Sequence, residues 1–148
     1  MLLTAKALER AFGKGWFIQT QSPIILDDRS EPEPDVCVVR GSPRDYVAAH
    51  PSRPALIVEV AQSGLHLARG RKAAAYARAG IADYWILDLI NRTLEVCREP
   101  RNLARRRWGY SSIEVLRADA MVSPLAALDA SISVVDFLSS SMRVLPSW

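Results

Sequence analysis

Two cysteines and two histidines in 148 residues are too few for a disulfide framework or a cysteine-histidine zinc cluster. Cys37 and Cys97 belong to no CxxC or other ligand spacing. Each lies in an alternating apolar run, Val36-Cys37-Val38-Val39 and Leu94-Glu95-Val96-Cys97, where free cysteine behaves as a small buried hydrophobe. Gly41, Gly64, Gly70 and Gly80 stand singly, which excludes a glycine-rich phosphate loop. His50 precedes Pro51 and reads as a turn residue, while His66 reads as a solvent-facing residue at a helix start. No serine or cysteine is arranged with them as a nucleophile, so a catalytic triad is excluded. No apolar run approaches the ~20 residues that a membrane span needs. Lys6, Glu9 and Arg10 interrupt the N-terminus before a signal-peptide core can form. A reduced, cytoplasmic protein is the expectation.

What is present fits one globular domain over residues 1–148: 49% hydrophobic and 24% charged residues, with a formal charge of +3. Leu2, Ala5, Leu8 and Phe12 repeat at helical spacing before Gly13 and predict a helix over 2–12. Strands are expected at Trp16 to Gln21 and Ile24 to Leu26, followed by an acidic, proline-broken loop through Pro34. Further strands are expected at Asp35 to Val39 and Ala55 to Ala61, with a polar loop over 40–54 between them. An alanine-rich helix from Leu67 to Ala79 is closed by Gly80, and a strand at Tyr84 to Leu89 leads through Asn91-Arg92 into a hairpin partner, Thr93 to Arg98. Short strands near Ile113 to Leu116 and Ile132 to Val134 and a last helix near Val135 to Ser140 complete the reading. That order predicts an α/β (α+β) domain with a central mixed β-sheet flanked by helices.

Glu59 is the anomaly in this pattern. It stands among Leu56, Ile57, Val58 and Val60 in the most strand-like run of the chain, where an ionised carboxylate is costly unless paired or bound to a cation. Asp35 sits at the mouth of another apolar strand. If the two strands are neighbours, their carboxylates lie ~5 Å apart and repel, a conflict that a Mg²⁺ ion resolves. Lys72 on the following helix, among Ala73, Ala74 and Ala75, can project toward the sheet end and stabilise charge developing on a phosphate. Plainer readings stand beside these. Lys72 also suits a solvated helix face, Asp35 a turn, and Glu59 a structural ion pair with Arg53, Arg69 or Arg71.

The blocks Glu31-Pro32-Glu33-Pro34-Asp35-Val36, Leu56-Ile57-Val58-Glu59-Val60, Arg69-Gly70-Arg71-Lys72 with Tyr76-Ala77-Arg78-Ala79-Gly80-Ile81, and Asp83-Tyr84-Trp85-Ile86-Leu87-Asp88 resemble the signature of the Uma-two family. That family consists of restriction-endonuclease-like proteins in the PD-(D/E)XK nuclease superfamily. The likeness runs from about Leu8 to the C-terminus and includes Val122-Ser123-Pro124-Leu125. It implies a restriction-endonuclease-like core, short here at its N-terminus, and Mg²⁺- or Mn²⁺-dependent cleavage of DNA. Asp35 and Glu59 match the two acidic positions. The superfamily's usual lysine position holds Ala61, and Lys72 matches the helix lysine that replaces it. Glu9 corresponds to an acidic residue on the first helix that assists metal binding in some members. Ala68 replaces an aspartate common just before the Arg-Gly-x-Lys run.

The resulting expectation is a metal-dependent endonuclease hydrolysing DNA phosphodiester bonds, with Asp35, Glu59 and Lys72 catalytic and with Asp35, Glu59 and Glu9 as metal ligands. Arg101, Arg105, Arg106 and Arg107, close to Trp108 and Tyr110, suit phosphate contacts and base stacking and suit a solvated loop equally. Tyr84, Trp85 and Ile86 suit the core or a dimer interface, and a homodimer is expected because two-fold pairs are the commonest oligomer. Ala68 favours an alternative: a weakened or inactive nuclease fold serving as a nucleic-acid-binding or dimerisation module. Hydrolysis of another phosphate ester is a third reading.

Overall fold

The computed structural model describes residues 1–26, 31–105 and 107–139. Helix α1 (Leu2–Phe12) buries Ala5, Ala7, Leu8 and Phe12 and stops at Gly13, whose φ of 72° glycine accepts without strain. Six strands follow in one sheet, in spatial order β1 to β6: β1 (Trp16–Thr20), β2 (Val36–Arg40), β3 (Leu56–Ala61), β4 (Asp83–Asp88), β5 (Thr93–Ala104) and β6 (Arg107–Arg117). All neighbours are antiparallel except β3 and β4, which run parallel. A parallel pair needs a crossover, and α2, spanning residues 65–78, supplies it. The sheet is therefore mixed and flanked by helices, the architecture expected from the sequence.

Strand alternation divides the core in two. Val36, Val38, Leu56, Val58, Trp85 and Leu87 face α1 and the C-terminal segment, where a two-stranded ribbon joins β7 (Met121–Val122) to β8 (Ile132–Ser133). Cys37, Val39, Ile57, Tyr84, Ile86 and Cys97 face α2. Nearly every strand residue in β2, β3 and β4 is buried, which explains why those runs are apolar on both faces. Tyr84, Trp85 and Ile86 are core residues.

Three local expectations change. Ile24 to Leu26 is irregular rather than a strand: Pro23 precedes it, and its amides reach loop carbonyls, Ile24 N–H to Pro32 and Ile25 N–H to Pro51. The basic stretch from Arg98 to Arg107 is not a separate segment. Its described residues form the far part of the β5–β6 hairpin, in which Pro100 pairs with Tyr110 and Ala104 with Arg107. The last helix is a 3₁₀ turn, Val134–Phe137; Ser140 lies outside the described residues, as do Asp27, Asp28 and Arg106.

Candidate active site

The site is built where β2 leaves the sheet. Val36 pairs with Val58, and beyond that point the chain toward Pro34 turns away, so Val60 loses a backbone partner. Asp35 replaces it: its Oδ2 accepts the Val60 N–H at 2.7 Å. Because Asp35 has the same parity as Cys37, and Glu59 the same as Ile57, both carboxylates lie on the α2 face of the sheet. The expectation that their strands are neighbours holds.

Glu59 is 2% exposed. Lys72 Nζ donates to its Oε2 at 2.9 Å and Tyr76 Oη donates to its Oε1 at 3.1 Å. Burial holds the Glu59 carboxyl above its ordinary range; the Lys72 hydrogen bond opposes that rise, and the Asp35 charge adds to it. Burial and the Glu59 charge also hold the Tyr76 phenol up, so Tyr76 remains a proton donor at neutral pH. Lys72 is the partner of Glu59, whereas none of Arg53, Arg69 and Arg71 donates to it among the described residues. Arg69 instead donates through Nε to both oxygens of Glu95, at 3.1 and 2.9 Å.

These two pairs are coordinated. Glu59, Ile86 and Glu95 stand in one row across β3, β4 and β5, and their cations leave one turn of α2. That turn, Ala68–Lys72, is π-helical, a distortion frequent at functional sites. The Tyr84 hydroxyl donates to the Ala68 carbonyl at 2.8 Å and ties the start of this turn to β4. Ala68 itself is buried in the α2 cluster. With alanine there, Lys72 still reaches Glu59.

Other expected residues fall elsewhere. Glu9 is exposed on α1, which covers the opposite face of the sheet, and no group of three or more His, Cys, Asp or Glu able to hold a metal occurs among the described residues. The structure thus does not bring Glu9 to Asp35 and Glu59. Arg101, Arg105 and Arg107 are exposed on the β5–β6 hairpin, with Arg101 donating to Ser111 and paired loosely with Glu99 at 3.7 Å; Arg106 lies outside the described residues. His50 and His66 are exposed. Cys37 and Cys97 are free and buried, and burial pushes both thiols up to about 12, leaving them protonated and inert at neutral pH.

Sequence reasoning leaves Tyr76 and Glu95 without a role, and it offers Arg69 only as a partner for Glu59. Tyr76 follows Lys72 by four, the spacing that puts two residues on one helix face. Glu95 shares the inward parity of Cys97. Those were the available signals.

Chemically, Asp35 and Glu59 place two like charges on the α2 face where β2 ends beside β3. The Val60 carbonyl faces the same edge as its N–H, because a strand residue presents both groups to one neighbour. An all-oxygen set of two carboxylates and a carbonyl suits a hard divalent cation such as Mg²⁺, which retains waters and binds substrate phosphates besides.

Comparison with known proteins identifies the family and the fold. Residues 2–136 match the family model Uma2, described as "Putative restriction endonuclease". The fold is also that of a crystal structure described as a putative nuclease belonging to DUF820 from Anabaena variabilis. The two align with a TM-score of 0.67 and 16% identity over 90% of this chain and 75% of that one. At that identity the likeness establishes the shared fold. No curated protein matches the chain. No helix among the described residues is long and apolar enough to cross a membrane. With the family match spanning nearly its whole length, the chain belongs to the Uma2 family.

Proposed function

We propose that this protein is a metal-dependent endonuclease that hydrolyses DNA phosphodiester bonds at Asp35, Glu59 and Lys72. The observation that carries the reading is the buried Glu59 carboxylate, raised by desolvation and facing a second carboxylate, whose partners among the described residues are a half-exposed lysine and a tyrosine. Membership of a family described as "Putative restriction endonuclease" supports nuclease chemistry.

Asp35, Glu59 and the Val60 carbonyl would hold Mg²⁺ or Mn²⁺, which when bound supplies Lewis-acid polarisation of the phosphoryl group and a more acidic attacking water. The chain's own residues do the rest. Asp35 is fixed by the Val60 N–H, so its second oxygen is aimed without an entropy cost at the moment of binding. Tyr76 keeps Glu59 oriented when Lys72 lets go. Lys72 has a side chain 46% exposed, so it can exchange the Glu59 oxygen for a phosphate oxygen and stabilise the negative charge that grows there. Ala68 does not prevent this, because Lys72 meets Glu59 at 2.9 Å with alanine in place. Cutting both strands is served by a two-fold pair of copies, checked by light scattering in solution.

The test is nicking of supercoiled plasmid with Mg²⁺ or Mn²⁺ by wild type, Asp35→Ala, Glu59→Ala and Lys72→Ala. Nicking by wild type alone is the expected result. DNA retention without cleavage, equal in all four proteins, refutes the enzyme and leaves a binding module.

A further inference from the structure

A cleft of about 550 Å³ opens beside the proposed metal site, between α2 and the β5–β6 hairpin, within the size range of ligand pockets. One wall is Trp108, half-buried, with Leu103 and Ile113. Leu103 can lie there because Gly109 has no side chain: a Cβ on Gly109 would stand 2.8 Å from Leu103 Cδ1. The floor is sheet, Ile86 and Cys97, with Glu95 holding Arg69 at the side. Arg69 spends Nε and Nη2 on Glu95, and its Nη1 has no partner among the described residues. The facing wall includes Gly70, where an added Cβ would meet nothing within 4 Å, so that wall is flat. Exposed Arg71 and Arg107 add positive charge to the lining.

An aromatic face, an apolar floor, an oriented guanidinium and cations for the backbone are the features that accept a base taken out of its stack. A free anion would leave the apolar walls unused, and an aliphatic ligand would leave the guanidinium unused. A nucleobase uses both, and its phosphates complement Arg71 and Arg107. Arg69 and Lys72 leave the same π turn, so a strand that presents a phosphate to Lys72 passes this cleft.

We propose that the cleft receives one nucleobase of the bound DNA, unpaired or extruded, stacked on Trp108 with Arg69 donating to its edge. The proposal rests on the reading of the neighbouring site as a DNA hydrolase. It is tested in the full chain without metal, so that binding is read apart from cleavage. Oligonucleotides carrying one 5-iodouracil are bound, followed by fluorescence anisotropy, then photocrosslinked and the attachment site located by mass spectrometry. Trp108 is the expected attachment site. Gly70→Leu, which fills the cleft from an unstrained helical position, lowers both crosslink yield and affinity about tenfold with an unchanged thermal melt; Trp108→Leu abolishes the crosslink. Crosslinks outside the cleft, or a yield undiminished in Gly70→Leu, overturn the base pocket while leaving the hydrolase reading intact. No DNA binding by anisotropy, either without metal or with Ca²⁺ added, overturns both.

Discussion

Two buried sheet carboxylates, Asp83 on one face and Glu59 on the other, are handled in opposite ways. Asp83 is fully buried and accepts from Trp85 Nε1, Arg98 Nε, Arg98 Nη2 and the Leu125 N–H. Arg98 also donates to the Ser123 carbonyl at 2.6 Å, so this one aspartate ties β4 and β5 to the 123–125 segment. Its lone pairs are spent on the protein. Glu59 has two donors, one of them a flexible lysine, and faces the like charge of Asp35. A buried acid that accepts four hydrogen bonds is structural cement; one with two donors and a like charge beside it is the acid we propose for the metal. The Asp83 network also explains why the Asp83-Tyr84-Trp85 and Val122-Ser123-Pro124-Leu125 blocks occur in one sequence.

The comparison makes Asp83 the costlier residue to lose for stability. Asp83→Ala, which leaves Arg98 and the Trp85 N–H without their acceptor, is expected to cost about 3–5 kcal/mol in urea unfolding. A loss below about 1 kcal/mol would put Asp83 outside the structural class. Lys72→Ala should instead leave the fold intact by circular dichroism and lower plasmid cleavage about 10²–10³-fold. Equal losses of stability in the two variants would erase the distinction. Tyr76→Phe removes the fixed donor that orients Glu59 and should weaken Mg²⁺ binding, read by isothermal calorimetry, about tenfold. Wild-type affinity in that variant would mean that Lys72 alone aims Glu59.

The smallest effect is a slope. Because the folded Glu59 carboxyl titrates above its unfolded value, the native state holds a proton there that the unfolded chain has already released. Metal-free stability from this group is therefore greatest below the unfolded value and falls as pH rises through the raised folded value. Glu59→Gln should flatten that fall in urea midpoints measured from acid to neutral pH. Asp88 runs the other way: hydrogen bonds from Asn91 and Ile90 outweigh its burial and lower it. Its contribution is present above the unfolded value and is lost as pH falls through the depressed folded one. A Glu59→Gln slope identical to wild type would sink the assignment of Glu59 as the strained acid.

Much of this was legible beforehand for reasons specific to each element. Residues 55–61 announced a doubly buried strand because a crossover-linked strand has no solvated face, and Glu59 was conspicuous against it. The helix over 2–12 followed from apolar spacing and Gly13. The strand beyond Arg98 was not legible, since Glu99 to Ala104 carries charge and a proline that do not read as strand. It is held as strand by cross-strand pairing, such as Pro100 with Tyr110, rather than by its own propensity. Glu9 was carried over by resemblance to a metal position, whereas α1 turns it to solvent on the far side of the sheet. The π turn left no mark in the sequence that periodicity could detect.

The sequence by itself determined the mixed sheet, the two acidic strand positions and the scarcity of any other chemistry, because apolar alternation and a lone buried charge are local signals. Only the tertiary structure decided which cation meets which acid. Lys72 and Arg69 stand three residues apart on one turn, and Glu59 and Glu95 stand in one row across the sheet. Both pairings depend on strand register and helix phase, which arise from packing the whole chain and are written in no single segment.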